Sequence, residues 1–104
     1  MTWADPYIER LRSGQAVQFR PHGNSMRGRI ESGQRVTVVP EPEREPEPGD
    51  AVLCRVHGRC FLHLVKAVQG HGPRRRYLIG NNRGGINGWI SRRHIYGRCV
   101  AVED

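Results

Sequence analysis

Residues 51–68 read AVLCRVHGRCFLHLVKAV, and this stretch decides the fold. Two runs of strand-forming residues, 51–56 and 59–68, flank the dipeptide His57-Gly58. That dipeptide has the composition of a two-residue hairpin turn, because both of its positions must adopt a left-handed backbone conformation. The stretch therefore predicts an antiparallel hairpin, around which the other elements must be arranged.

The register of this hairpin assigns each side chain to a face. A two-residue turn pairs Val56 with Arg59. Because side chains alternate along a strand, His63 and Lys66 point to opposite faces, with Val68 on the Lys66 side. Only one of His63 and Lys66 can then face a given site. The residues predicted to share the His63 face are Val52, Cys54, Val56, Phe61, Val65 and Ala67.

The flanking sequence predicts short elements joined by turns. Asp5-Pro6 predicts the N-cap and first position of a short helix within residues 1–15, which ends before Gly14. Residues 40–48, PEPEREPEP, predict a solvated loop that buries almost no apolar surface, so that its deletion would change stability only slightly. Further strands are predicted at residues 16–20, 34–39, 77–79, 88–90 and 95–102. The fold class is mainly β with one short helix.

Length and composition indicate a single domain covering residues 1–104. With 13 Gly and 7 Pro, the chain suits short strands and turns better than a helical bundle. No segment resembles a signal peptide or approaches the roughly 20 apolar residues that cross a bilayer, so we expect a cytoplasmic protein without a membrane anchor. Three cysteines leave one unpaired in any disulfide scheme, and we expect all three to stay reduced.

The net charge of +7 is unevenly distributed along the sequence. Residues 41–50 carry five acidic residues and one Arg, whereas residues 51–104 carry ten basic residues and two acidic ones. The densest basic run is Arg74-Arg75-Arg76, in a turn flanked by Gly and Pro. We interpret this charge as a solvated surface, available to nucleic acid only for weak, non-specific binding.

Four residues with zinc-binding side chains, Cys54, His57, Cys60 and His63, recur at every third position. In the predicted hairpin, however, Cys54 and Cys60 lie on opposite faces, so the four groups would not converge on one ion. We therefore interpret them as two buried thiols and two ordinary imidazoles, and we expect neither a metal nor another cofactor.

Six segments follow one another in an order that carries a family resemblance. They are Gly23-Asn24-Ser25-Met26, an apolar strand after Gly33, Gly49-Asp50-Ala51-Val52-Leu53, Phe61-Leu62-His63-Leu64-Val65, Gly80-Asn81-Asn82-Arg83 and Ile95-Tyr96-Gly97-Arg98-Cys99-Val100. This order resembles the LexA and signal-peptidase superfamily of serine peptidases, whose members place the nucleophile in G-x-S-M and the base on a following strand. The resemblance spans residues 16–102 and implies a twisted, mostly antiparallel β domain.

The resemblance also implies candidate catalytic groups. Ser25 corresponds to the nucleophile, and the main-chain N–H groups of Asn24 and Ser25 correspond to the oxyanion hole. The base position falls on His63, where LexA-like members carry Lys and some signal peptidases carry His. An imidazole is already largely neutral at pH 7, so His63 needs less perturbation than a lysine to accept a proton. Lys66 is the alternative base.

A histidine base needs a partner that orients it and stabilises the imidazolium formed during attack. The superfamily has an Asp in its G-D-N segment, and this chain carries Asn81 there instead. Asn87 is the other candidate for the orienting role. Either amide would orient the ring without supplying charge, which favours slow catalysis or none.

The resemblance implies hydrolysis of a peptide bond by a Ser25 and His63 dyad through an acyl-enzyme. Only 24 residues precede Ser25 and the chain has no Ala-Gly dipeptide, so we expect neither a DNA-binding domain nor self-cleavage of the LexA type. The expected substrate is a partner polypeptide, such as an operon-encoded precursor. The alternative is a catalytically inactive member of the fold that binds protein or nucleic acid. A homodimer is left open.

Overall fold

The computed structural model describes residues 2–104 and contains one helix, seven strands and two short 3₁₀ turns. These are α1 (Asp5–Arg12), β1 (Val17–Phe19), β2 (Arg35–Val39), β3 (Ala51–Val56), β4 (Arg59–Gln69), a 3₁₀ turn (Gly72–Arg74), β5 (Arg76–Gly80), β6 (Ile86–Ser91), a second 3₁₀ turn (Arg92–His94) and β7 (Ile95–Glu103). The strands form one sheet in the order β1-β2-β7-β3-β4-β5-β6, and every neighbouring pair is antiparallel. The predicted mainly β class with a short N-terminal helix is confirmed.

The β3–β4 hairpin has the predicted register. Val56 lies opposite Arg59, and Val52 lies opposite His63. The turn between them has His57 at a φ of 49° and Gly58 at a φ of 81°. Two successive positive φ values twist the backbone in the sense that joins antiparallel strands through two residues. The predicted register of this hairpin is therefore confirmed as far as Val65.

A β-bulge at Lys66 corrects the predicted faces at the end of β4. Val65 lies opposite Ile79 and Ala67 lies opposite Leu78, so two residues of β4 are matched to one step of β5. The inserted residue reverses the face of the sheet to which each later side chain of β4 points. Ala67 therefore leaves the His63 face, while Val68 packs on the same core as Val65. The prediction for Ala67 and Val68 was wrong, whereas Lys66 does point away from the His63 face, toward Gly80.

Both faces of β3 and β4 are buried because the sheet curls until β6 contacts β3. The first core lies between α1 and one face of the sheet, and the second lies inside the curl. The first core includes Ile8, Leu11, Val17, Phe19, Met26, Val36, Val38, Leu53, Leu62 and Leu64. The second core consists of Val52, Cys54, Val56, Val65, Tyr77, Ile79, Ile90 and Ile95. Within residues 2–104, no helix has the length and apolar composition needed to cross a bilayer.

The helix begins one residue earlier than predicted. Asp5 is its first residue rather than its N-cap, and the N-cap position is occupied by Ala4. The Asp5 carboxylate accepts hydrogen bonds from the N–H and hydroxyl of Thr2, at 2.7 and 3.0 Å, which lower its pKa. It also lies 3.0 Å from the Arg55 guanidinium. These contacts attach the start of the helix to the outer face of β3.

The Pro-Glu segment, residues 40–48, is a loop as predicted, but it is not simply solvated. Pro46 is buried, and Glu41 lies 2.6 Å from Arg98 on β7. Glu45 lies 2.8 Å from Arg75 and accepts a hydrogen bond from the buried hydroxyl of Tyr77. The prediction that this loop buries almost no apolar surface is wrong, because ionic contacts of its glutamates hold Pro46 against the sheet. Arg75 is likewise paired rather than freely solvated.

Replacing Glu41 with Gln is expected to destabilise the fold by about 1 kcal/mol, which would lower the Tm by about 4–8 °C in a domain of this size. The Glu41–Arg98 ion pair contributes no more than this to the free energy of unfolding, because its side chains are 28% and 29% exposed and water screens their charges. The hydrogen bond from Arg98 lowers the Glu41 pKa, so the stabilisation is present above the ordinary pKa of 4.5 and is lost as pH falls through the lowered value.

Thermal melts of Glu41→Gln and Glu43→Gln provide the measurement, since Glu43 is an exposed glutamate of the same loop. The Glu43 variant should melt with the wild type. Equal losses for both variants would mean that the loop acts only through its overall charge.

Candidate active site

Ser25 lies in the irregular segment between β1 and β2, and this segment is attached to the β5–β6 loop. The main-chain N–H of Asn82 donates to the carbonyl of Ser25 at 2.8 Å. The side-chain amide of Asn82 donates to the carbonyl of Arg27 at 2.9 Å. A third bond, from the N–H of Arg27 to the carbonyl of Asn24 at 3.1 Å, closes the turn itself. These three hydrogen bonds therefore fix the backbone around Ser25, although Ser25 lies outside any helix or strand.

His63 lies in the middle of β4 and is the one buried polar or charged residue in the described chain, at 7% exposure. Its ring stacks on Phe61, two residues earlier on the same face, with 4.7 Å between ring centroids. Its Nε2 lies 3.1 Å from the Oγ of Ser25. The pair predicted from the sequence is therefore within hydrogen-bonding distance across 38 residues of chain.

The environment of His63 favours the neutral ring. Burial lowers its pKa below the ordinary value of 6.5, and the hydrogen bond with Asn87 offsets only part of this effect. A neutral imidazole has one protonated and one unprotonated nitrogen. His63 can therefore accept a proton at neutral pH without a further shift.

Asn87 is the partner that orients His63. Its Oδ1 lies 2.7 Å from Nδ1 of His63. An amide oxygen only accepts, so Nδ1 carries the hydrogen and donates it to Asn87. Nε2 is then the unprotonated nitrogen and accepts the hydroxyl hydrogen of Ser25. Hydrogen bonds thus connect Asn87, His63 and Ser25 in the order that general-base activation requires.

A second β-bulge explains how Asn87 reaches His63 from a strand that is not adjacent to β4. Ile86 lies opposite Gly80 and Gly88 lies opposite Ile79, which leaves Asn87 as the extra residue of β6. Bulges redirect a side chain relative to the regular alternation. The curl of the sheet then brings the Asn87 amide within reach of His63. Bulge positions are not visible in the hydrophobic pattern, so the sequence named Asn87 only as one of two candidates.

The other two candidates, Asn81 and Lys66, are engaged with each other and with the main chain. The Oδ1 of Asn81 accepts hydrogen bonds from the N–H groups of Arg83 and Gly85, both at 2.8 Å. The exposed Lys66 ammonium donates to the main-chain carbonyl of Asn81 at 3.0 Å. The structure therefore places neither of them at Ser25 or His63, and Asn81 instead shapes the β5–β6 loop.

The predicted oxyanion donors are the main-chain N–H groups of Asn24 and Ser25. Within residues 2–104, neither group donates to a main-chain acceptor. A carbonyl oxygen that develops negative charge requires such donors, so these two groups stay the predicted oxyanion hole.

The four residues considered as zinc ligands do not converge. Cys54 packs in the second core, where burial raises the pKa of its thiol, and Cys60 packs in the first. His63 is occupied by Ser25 and Asn87. In the part of the chain that the structure describes, no group of three His, Cys, Asp or Glu side chains forms a candidate metal site.

Ser25 and His63 open into a cleft of about 450 Å³. One wall is aromatic: Tyr7 stacks on Phe19 with 4.6 Å between ring centroids, and Trp3 lies 5.7 Å from Phe19. Tyr7 and Phe19 were predicted to lie in a helix and a strand, and their pattern in the sequence did not indicate that they line a site. The other apolar residues of the cleft are Pro21, Met26, Ile30, Cys60, Phe61 and Leu62, and its polar lining includes Arg20, His22, Glu31 and Ser32. The reacting groups therefore face a cleft of mixed polarity with one aromatic wall.

Comparison with known proteins leaves the function to be inferred from this geometry. A scan against models of protein families finds no match, and a search of curated proteins finds none either.

Proposed function

We propose that this chain is a serine peptidase in which Ser25 is the nucleophile, His63 the general base and Asn87 the residue that orients the base. The observation that carries the proposal is the pair of hydrogen bonds on His63, 3.1 Å to Ser25 and 2.7 Å to Asn87. The motif order that resembles the LexA and signal-peptidase superfamily supports the same assignment, because Ser25 and His63 occupy the nucleophile and base positions of that order.

In the proposed reaction, the Oγ of Ser25 attacks the carbonyl carbon of the scissile bond while Nε2 of His63 takes the hydroxyl proton. The electron pair of the carbonyl moves to its oxygen, which the N–H groups of Asn24 and Ser25 stabilise. The electron pair on the oxygen then re-forms the carbonyl bond as the C–N bond breaks, and His63 returns the proton to the leaving amine, which leaves Ser25 acylated. Water releases the acyl group in a second cycle that uses the same base.

Asn87 supplies orientation without charge in this mechanism. Its oxygen holds the ring in the tautomer that leaves Nε2 free, yet a neutral amide stabilises the imidazolium less than a carboxylate does. We therefore propose a slow peptidase that is active at neutral pH, where the lowered pKa keeps His63 unprotonated.

The proposed substrate is a segment of a partner polypeptide that occupies the cleft beside Ser25, against its aromatic wall. A precursor encoded in the same operon fits this role. We place the activity in the cytoplasm, where the free thiols of Cys54, Cys60 and Cys99 would stay reduced.

A second candidate function is a catalytically silent binding module. It is favoured by one observation, the neutral amide of Asn87 where a catalytic carboxylate is expected. The two candidates differ in the reactivity of Ser25, because only a hydroxyl with an unprotonated base beside it attacks phosphorus rapidly.

Incubation with a serine-directed fluorophosphonate, followed by intact-protein mass spectrometry and peptide mapping, tests the proposal. We expect a single adduct on Ser25 that is absent in Ser25→Ala. Ser32 is an internal control, since it lines the same cleft but its hydroxyl accepts the N–H of Gly23 at 3.0 Å and has no imidazole partner. Folded protein that forms no adduct, or that reacts equally at Ser32, would favour the binding module.

A further inference from the structure

A second concave surface, here called the Trp89 groove, shares no residue with the cleft at Ser25. It has a volume of about 320 Å³ and is lined by Arg55, His57, Arg76, Trp89, Ser91 and His94, among others. The indole of Trp89 is 44% exposed, which is unusual for the largest side chain. The groove therefore combines an open aromatic side chain with basic ones.

The register of β5 and β6 builds this groove. Trp89 lies opposite Leu78, and Arg76 lies opposite Ser91. Trp89 and Arg76 are thus diagonal neighbours on the outer face of the sheet, about 7–8 Å apart at the backbone. The β3–β4 turn forms one side of the groove. Gly88 allows His57 of this turn to approach β6, because a Cβ at position 88 would lie only 3.1 Å from Nε2 of His57.

The groove carries one arginine without a carboxylate partner. No Asp or Glu of the described chain lines the groove. The Arg76 guanidinium donates only to the carbonyls of Pro73 and Arg75, so its charge is not neutralised by a carboxylate there. Arg55 is paired with Asp5 at 3.0 Å, and burial together with the charges of Arg93 and Arg55 lowers the pKa of His94. Arg76 is therefore the groove arginine whose charge is free for an anionic ligand.

We propose that the Trp89 groove binds single-stranded nucleic acid, with a base stacked on Trp89 and a backbone phosphate contacted by Arg76. Stacking on an aromatic side chain beside basic groups is the general means by which proteins hold unpaired bases. An acidic peptide would use the positive charge but leave the indole unexplained, and a duplex would not present the faces of its bases. The inference stands on residues outside the peptidase site and is independent of the function proposed for Ser25.

Fluorescence anisotropy with a labelled oligo-dT of about 12 nucleotides tests the proposal. We expect a Kd between about 10⁻⁴ and 10⁻⁶ M at physiological salt, and a higher Kd as the salt concentration rises. Trp89→Ala should weaken binding about tenfold or more, while Trp89→Phe keeps the aromatic ring and most of the affinity. Arg76→Gln should reduce the slope of log affinity against log salt by about 0.7.

The matched control for Arg76→Gln is Arg10→Gln, an exposed arginine outside the groove. This variant should bind like the wild type. Absence of binding, an equal loss in Arg10→Gln, or a preference for duplex DNA would overturn the proposal. Polyglutamate binding that depends equally on Trp89 would overturn it in favour of an acidic polypeptide.

Discussion

Replacing His63 with Ala is expected to reduce peptide hydrolysis and fluorophosphonate labelling by about 10⁴-fold or more, to the level of Ser25→Ala. The two losses should be equal because the hydroxyl is a poor nucleophile once no base can take its proton. For the same reason, the double variant should be no slower than either single variant. Hydrolysis of a partner-derived or fluorogenic peptide, measured beside labelling at Ser25, gives both rates.

Lys66→Ala is the matched control for this comparison, because Lys66 lies on the same strand and is the alternative base. Its ammonium donates to the carbonyl of Asn81 rather than to Ser25, so this variant should retain most of the activity. If Lys66→Ala were inactive while His63→Ala still turned over, the peptidase would use a Ser and Lys dyad instead.

Replacing Asn87 with Asp is expected to accelerate hydrolysis about tenfold or more, since a carboxylate at this position would stabilise the imidazolium and each pKa unit is worth about a factor of ten. In the wild type, burial lowers the His63 pKa, so activity should be full at pH 7 and fall only as the pH drops below the ordinary value of 6.5. The added negative charge favours protonated His63, so the Asp variant should begin to lose activity at higher pH than the wild type.

Asn81→Asp adds the same charge at the position where the superfamily carries its acid, and it is the control. The Asn81 oxygen accepts two main-chain N–H groups, and a carboxylate can do the same, so the loop should keep its shape. Its rate and pH profile should match those of the wild type. A faster Asn81 variant beside an unchanged Asn87 variant would mean that Asn87 does not act on the base.

The parts of the fold that the sequence predicts are those decided by alternation and turn chemistry. The hairpin at His57-Gly58 is the clearest case, because one turn type imposes one register on both of its strands. The bulges at Lys66 and Asn87 were not predicted, since a single inserted residue leaves the local pattern of apolar side chains almost unchanged. The packing of Pro46 was also missed, because it depends on distant partners such as Arg98.

The candidate site likewise has parts that the sequence predicts and parts that depend on the three-dimensional fold. Ser25 and His63 were identified from motif order, and the distance between them agrees with that pairing. The choice between Asn81 and Asn87 could not be made, because it depends on the bulge in β6 and on the curl of the sheet. The aromatic wall formed by Tyr7 and Phe19 joins a helix and a strand, and their contact arises only when both pack on the same core.

The attachment of Asn82 to the Ser25 segment couples parts of the site that are distant in sequence. The loop that contains Asn82 leads directly into Asn87, while its two hydrogen bonds hold the carbonyls of Ser25 and Arg27. A fluctuation that opens this loop would release the nucleophile and the orienting amide together. The nucleophile and the orienting amide then behave as a cooperative unit, which the two hydrogen bonds of Asn82 stabilise.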